Sequence, residues 1–354
     1  MTIERYIQRS LLINFAVAVG GMSLLCLPGV AVSSVSRLAG VDIFAVLKIV
    51  PFILASLLPF ILPLSYLLSV VATYGRLAAD NEWIAIKMSG MHPMRMLLPS
   101  LPLALLLGGG SMWFMAEGLP NLRRLQDSVM FHAVRDAITN LSPGRTELHL
   151  PGFDLVAKFR DKNDFLDALI QFPTKEGEEP RTIAARRVSF AFHGSDVSVE
   201  LTDSRSVDGP HDATIASLTV QFNLDDLRQK AERNFTTLRY RPTSLIRQDL
   251  QEAGLEPRVV ERLLFEIHER NAIASLYLMF MMLGIPIGLL LRSSTQLGAL
   301  AVAVGIALVY YILAMRLGQE LASSHQLPPL VCAWAVNVMG LVVGSFLMLK
   351  VCRQ

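Results

Sequence analysis

The stretch ADNEWIAIKMSGMHP, residues 79–93, sets Asp80, Glu82 and Lys87 among Trp83, Ile84, Ile86 and Met88, between two strongly apolar regions. Charge and apolar area this close together do the chemistry of docking. Asp80 suits an N-cap and Glu82 the positive helix start. Gly90 is placed to end the helix, and Pro93 blocks its continuation. The expected helix has about nine residues and is roughly 13 Å long, too short to cross a bilayer. Glu82, Ile86 and Gly90 fall on one stripe at i, i+4 and i+8, which suits a groove on a partner protein. A helix lying on lipid headgroups with Trp83 as anchor is the other reading, and the residues leave both open.

Reaction chemistry has no comparable foothold. The sequence contains no Walker A phosphate loop, no H-E-x-x-H helix and no G-x-S-x-G elbow. Its seven histidines are scattered. Cys26 and Cys332 lie inside apolar runs and Cys352 at the end of one, which argues against a disulfide framework or a thiolate metal cluster. The expectation is a chain with no catalytic residues, no metal site and no cofactor.

The elements that must hold the short helix follow from composition. Of the 354 residues, 52% are hydrophobic and 18% charged, where a soluble domain carries about a quarter charged residues. The net charge of +2 gives no reason to expect a nucleic acid or other polyanion partner. A spanning helix needs roughly 20 apolar residues, and segments near 11–35, 45–72, 96–117, 271–291, 297–318 and 328–350 qualify as six spans. The first has Arg5 and Arg9 before it and Ala31-Val32-Ser33 near its end, as a signal peptide would. Its apolar run is too long for one, so it is expected to remain as a span.

Basic residues set the orientation. Arg5, Arg9, Arg76, Lys87, Arg95, Arg292, Lys350 and Arg353 share one side, against Arg37 in the short loops of the other. Both termini and the 79–93 stretch are therefore expected in the cytoplasm, and residues 118–270 outside it.

The outward region reads mainly as β. Leu218, Val220, Phe222 and Leu224 alternate with polar residues, as do Val197, Val199 and Leu201. Phe153, Leu155, Ala157 and Phe159 are expected on one face of a further strand, and TIAARRVSFAF supplies another. Turn signals stand at His193-Gly194-Ser195 and Asp208-Gly209. Such strands suit a sandwich, a jelly roll or an open curled sheet. Thr243 or Ser244 is expected to cap a helix that Gly254 ends, and 257–269 leads into the fourth span. The expected layout is thus 1–117 with three spans and a short helix near 80–90, 118–242 as a β domain, 243–270 as a helical lead, and 271–354 with three more spans.

Four stretches, in order, carry a family resemblance. YGRLAADNEWIAIKMSGM (74–91) resembles the loop between spans two and three of the lipopolysaccharide-export permeases, the LptF/LptG family. RTIAARRVSFAFHGSDVSVELTDSRSVDG (181–209) is similar to that family's periplasmic strands. TSLIRQDLQEAGLEPRVVERLLFEIHER (243–270) resembles its helical lead to span four, and LGIPIGLLLR (283–292) its Gly-x-Pro element there. ILPLSYLL (61–68) leans toward the LptF side.

The resemblance implies an α-helical integral membrane protein of the bacterial inner membrane, with six transmembrane helices and a jelly-roll-like periplasmic β domain between the third and fourth. It implies a permease that pairs with a second six-helix subunit, a dimeric ABC ATPase and a single-span periplasmic bridge protein, to extract lipopolysaccharide from the outer leaflet. Glu82, Trp83, Ile86 and Gly90 would then form the contact with the ATPase. An anionic glycolipid head calls for cations near the outer ends of the spans. The candidates are Arg123 and Arg124 first, then Lys48 and Arg316, then Arg37, with snorkelling to the interface as the plain alternative. Competing readings are a lipoprotein-releasing or mechanotransmitting subunit, which would have fewer spans, and a membrane scaffold that transports nothing.

Local features carry structural expectations. Pro51, Pro59 and Pro63 should bend the second span. Gly108-Gly109-Gly110 suggests close helix packing, and YLMFMML (277–283) a packed or lipid-facing surface. Glu266, Glu269 and Arg270 are expected to form a structural ion network.

Overall fold

A computed structural model describes residues 3–37, 43–90, 95, 97–126, 129, 147–150, 153–161, 164–172, 181–193, 196–206, 214–223, 240–251, 255–291, 296–323 and 327–353. Pro93, Gly194-Ser195, Asp208-Gly209 and Gly254, read above as breakers and turns, lie outside the described residues. The chain forms two compact units. One holds Met1–Leu27, Leu54–Asn121 and Arg239–Gln354, and the other Pro28–Ile53 and Leu122–Leu238.

Apolar runs become helices, and proline decides where they break. α1 covers Ile3–Arg37. The second expected span, 45–72, is two helices, α2 (Ile43–Ser56) and α3 (Leu58–Ala79), parted at Leu57. Pro59 offers no N–H and its ring crowds the preceding turn, so the ladder restarts there. Leu57 donates to Leu54 O at 3.1 Å, and Phe60 and Ile61 both donate to Leu57 O. α3 then runs past 72 and turns directly into α4 (Glu82–Met88).

The fifth expected span is helical throughout and the third from Leu101 onward, each with a wide turn inside it. α5 (Leu101–Trp113) passes through a π-turn at Phe114–Gly118 and continues as α-helix over 119–126. Residues 118–126, assigned above to the β domain, are therefore helical. α6 covers Thr243–Asp249, and α7 (Pro257–Leu291) joins the helical lead and the fourth span in one 35-residue helix. α8 (Gln296–Tyr310) meets a π-turn at Tyr311–Leu317 before α9 (Gly318–Ser323); α10 covers Pro329–Arg353. Among the described residues, Ile3–Val32, α3, α7 and α10 are long and apolar enough to cross a bilayer, and Ala301–Ala314 is a shorter apolar helix.

α7 is the axis of the helical unit. Helices in lipid gain little from the hydrophobic effect, so close packing and hydrogen bonds must hold them together. Small residues supply the first. A methyl group on Gly288 would lie 2.9 Å from Val71 O of α3, and one on Gly284 2.9 Å from a Val70 methyl. Gly108 lies as close to Ala274 O, while nothing stands within 4 Å of Gly109 or Gly110, so the triple glycine packs at one position only.

Buried hydroxyls and amides supply the second. Tyr66 donates to Ser100 O at 3.1 Å, Tyr74 and Ser100 share a hydrogen bond of 2.7 Å, and Tyr277 and Ser111 one of 2.6 Å. Asn337 of α10 donates to Ala272 O and Ser275 Oγ of α7, each at 2.7 Å. The methionine-rich stretch is packed rather than lipid-facing: Tyr277, Met279, Phe280, Met281 and Leu283 are all core residues.

The start of α7 holds a buried ion pair. Arg270 donates from Nε to Glu266 Oε1 at 2.9 Å and from Nη1 to Thr243 Oγ1 at 2.7 Å. The Thr243 hydroxyl thus serves Arg270, and the N-cap of α6 is Pro242, without a side-chain cap.

In the second unit six strands follow one another in an antiparallel meander: β1 (Glu147–Leu150), β2 (Phe153–Asp161), β3 (Asp164–Phe172), β4 (Arg181–His193), β5 (Asp196–Ser206) and β6 (Thr214–Asn223). Each pairs with its sequence neighbour, an open-sheet order. The crossovers of a two-sheet jelly roll are not among the described pairings.

Alternation fixes register on one end of the sheet, where Phe190, Val199 and Val220 form one cross-strand row and Phe192, Val197 and Phe222 another. It does not hold along whole strands. Leu155, Ala157, Ala168, Ile170 and Ala185 are buried, but so are Phe165, Val188 and Leu201, which have the opposite parity along β3, β4 and β5. The switch falls at Asp167 and Asp203, both with positive φ (50° and 53°) and both beside Arg186 in the ladder. Phe159, expected inside with Leu155 and Ala157, is 66% exposed, and it pairs with Leu166, the residue before Asp167.

Candidate functional site

α4 is made by its flanks. α3 ends with Asp80 as C-cap, and Asn81 turns the chain with φ 60° in the left-handed region, which asparagine tolerates. The expected N-cap is thus one residue early: Asn81, not Asp80, precedes the first helical residue, and it makes no side-chain cap bond. The helix is seven residues long rather than about nine. Ser89 closes it, donating its hydroxyl to Ile86 O at 2.7 Å, and Gly90 leaves it with φ 81°.

The two apolar residues expected on a partner face the other way. Trp83 and Ile86 are buried in the same cluster as Leu77, Ala78, Leu289 and Val351. Ile86 therefore does not share an outward stripe with Glu82 and Gly90, and Trp83 is no headgroup anchor, because the chain's own helices cover both. The outward residues are Ile84, Ala85 and Met88, with Met88 83% exposed. Glu82 is half-buried at the edge, and Lys87 Nζ lies 5.9 Å from the Trp83 ring centre. A groove of about 540 Å³ borders the helix, lined by Trp83, Ile84, Lys87, Met88, Leu289 and Val351 among others.

Sequence reasoning missed the residue that touches Glu82. Tyr6, in the second turn of α1, donates its hydroxyl to Glu82 Oε1 at 3.3 Å. Next to it Arg76 donates to Ser10 Oγ at 3.0 Å, and Asn14 to Thr73 Oγ1 at 2.8 Å. The available signal was a polar residue every fourth position, Tyr6, Ser10 and Asn14, along the beginning of α1.

Apart from Arg123 and Arg124, which share one helix, the candidate cations lie on separate elements. Lys48 is exposed on α2. Arg124 is exposed on the 119–126 helix, and the neighbouring Arg123 is half-buried and donates to the buried Gln126 at 3.1 Å. Arg37 ends α1 and Arg316 lies in the π-turn before α9; their side chains are outside those described.

A short inward-anchored helix joins two long apolar helices, and an antiparallel β unit interrupts the apolar sequence. The family model for the lipopolysaccharide export system permease LptF/LptG matches residues 5–350 of this chain. The chain belongs to the LptF/LptG family. Members of the LptF/LptG family are permease subunits of the lipopolysaccharide export system of the inner membrane, so this is a transport component rather than an enzyme. No curated protein is a significant match to the chain.

The LptF/LptG assignment gives the quoted stretches a physical sense. LGIPIGLLLR carries Gly284 and Gly288, two points at which α7 closely approaches α3. YGRLAADNEWIAIKMSGM carries α4 and its two caps.

Proposed function

We propose that this chain is a permease subunit of an ATP-driven extractor of lipopolysaccharide, and that α4 is the helix through which a separate ABC ATPase drives it. The observation that carries the reading is the two-sided character of α4. One side, Trp83 and Ile86, is fixed in the core of the chain, and the other offers Ile84, Ala85 and Met88 beside the Glu82 carboxylate. A helix with this division transmits force: it is rigidly attached inward and carries an apolar surface and one charge outward.

On this reading α1, α2–α3, the 101–126 helix, α7, α8–α9 and α10 make six spans, the two π-turns lying within the third and fifth. Both termini and α4 face the cytoplasm, as the basic residues indicate. The β unit is periplasmic and hands lipid to a bridge protein. A second six-helix permease completes the cavity, with Arg123 and Arg124 at its outer rim as the first contacts for an anionic head.

The test is charge reversal at Glu82. Glu82→Arg is expected to abolish co-purification of the ATPase in mild detergent, with the permease itself inserted at its normal level. Retention of the ATPase at wild-type stoichiometry would refute the coupling role.

A further inference from the structure

We propose that Tyr6 positions the Glu82 carboxylate, and that a polar ladder from α1 to α3 and α4 passes displacement of α4 to the first span. The inference rests on α4 being the coupling helix. Tyr6, Ser10 and Asn14 stand four residues apart on one face of α1, and their partners Glu82, Arg76 and Thr73 descend along the antiparallel neighbour. The distances shorten from 3.3 to 3.0 to 2.8 Å on going into the span. The adjacent stripe Ile7, Leu11 and Phe15 packs on the helical core.

Together the two stripes fasten the beginning of α1. Residues 19–27, next along α1, are not buried, and burial returns at Val30. The fastened beginning of α1 is thus the part that meets α4. Asn14 is the innermost rung. An amide facing an apolar medium without a partner is costly, so its bond to Thr73 resists sliding of α1 along α3.

The environment of α4 gives the ladder its direction. Toward the ends of α7 and α10 the helix borders the 540 Å³ groove, whereas toward α1 it is tied by a directional hydrogen bond. A shift of α4 is thus taken up as space on one side and as pull on the other. Tyr6 is suited to its role because it donates without carrying charge. It fixes one carboxylate oxygen of Glu82 and leaves the negative charge for a cation on the partner.

The experiment uses the complete reconstituted complex, this chain with its partner permease and ATPase, in proteoliposomes. It reads lipopolysaccharide extracted per ATP hydrolysed. Tyr6→Phe is expected to retain ATPase association and lower that ratio by about three- to tenfold, the range controlled by one hydrogen bond of ordinary net strength. Tyr6→Phe combined with Glu82→Gln should do no worse than Glu82→Gln alone, because both remove the same link. Asn14→Leu should lower the ratio, again with the ATPase bound.

A wild-type ratio in Tyr6→Phe, or additive effects in the double variant, overturns the proposal. So does a fall in the melting temperature of the purified complex sufficient to explain the loss, which would make Tyr6 a stability residue. If instead Glu82→Arg keeps its ATPase, it is the coupling reading beneath the proposal that has failed.

Discussion

α1 and α7 are each 35 residues long, and their most apolar windows have the same mean hydropathy, 2.1. Yet 67% of that window is buried within the chain in α7 and 11% in α1. Hydropathy reports which solvent a helix tolerates and says nothing about which neighbour it has. The neighbour is set by features that hardly register on that scale: Gly284 and Gly288 admit α3, Ala272 O and Ser275 receive Asn337 of α10, and Arg270 holds α6. α1 has glycines too, at 20 and 21, but nothing lies within 4 Å of where their side chains would start.

The contrast is sharpest where charge is buried. Arg270→Ala would leave Glu266 desolvated and unpaired, and should destabilise the helical unit by about 3–5 kcal/mol. Reversible unfolding in mixed micelles measures this, and a change below about 1 kcal/mol would show the pair to be incidental. Substituting glycine compares the two helices directly. Gly288→Leu forces a side chain into the Val71 carbonyl and should cost about 1–3 kcal/mol, while Gly21→Leu in α1 should leave the stability of the isolated chain within about 0.5 kcal/mol. Equal effects at the two positions would dissolve the distinction. A smaller loss than at Arg270 or Gly288 is expected from Asn337→Leu, which removes two hydrogen bonds between α10 and α7 at a cost of about 0.6–1.7 kcal/mol in the same assay.

What could be read from the sequence follows the same division. The positions of the apolar helices, the short helix near Glu82 and the β character of 147–223 were legible because length, hydropathy and alternation are properties of single segments. The direction of α4 was not. In a helix of seven residues, Trp83 and Ile86 satisfy a core, a partner or a membrane equally well, and only the presence of Leu289 and Val351 decides. The hydrogen bond of Tyr6 to Glu82 joins positions 76 residues apart, beyond any local pattern.

The sheet failed in a different way. Strict alternation put Phe159 inside and gave no sign of the parity change along β3 and β5, because nothing in the identity of Asp167 or Asp203 announces a positive φ. The break before Pro59 was legible in kind, since proline forbids the bond, although Pro51 and Pro63 are accommodated within helices.

The π-turn at Tyr311–Leu317 acts like a thread cut with one tooth too many. At about 100° per residue, one extra residue re-clocks everything beyond it by more than a quarter revolution. Before the turn, Ala303 and Tyr310 belong to the core around α7, with Tyr310 edge-on to Phe280 at 6.0 Å. After it, Gly318 lies against the Cys332 carbonyl of α10 and Leu321 packs with Phe265, Cys332 and Ala333. One continuous rod thereby serves two customers that lie on different bearings around it. Removing a single residue from the turn would straighten the thread and leave one of them unserved.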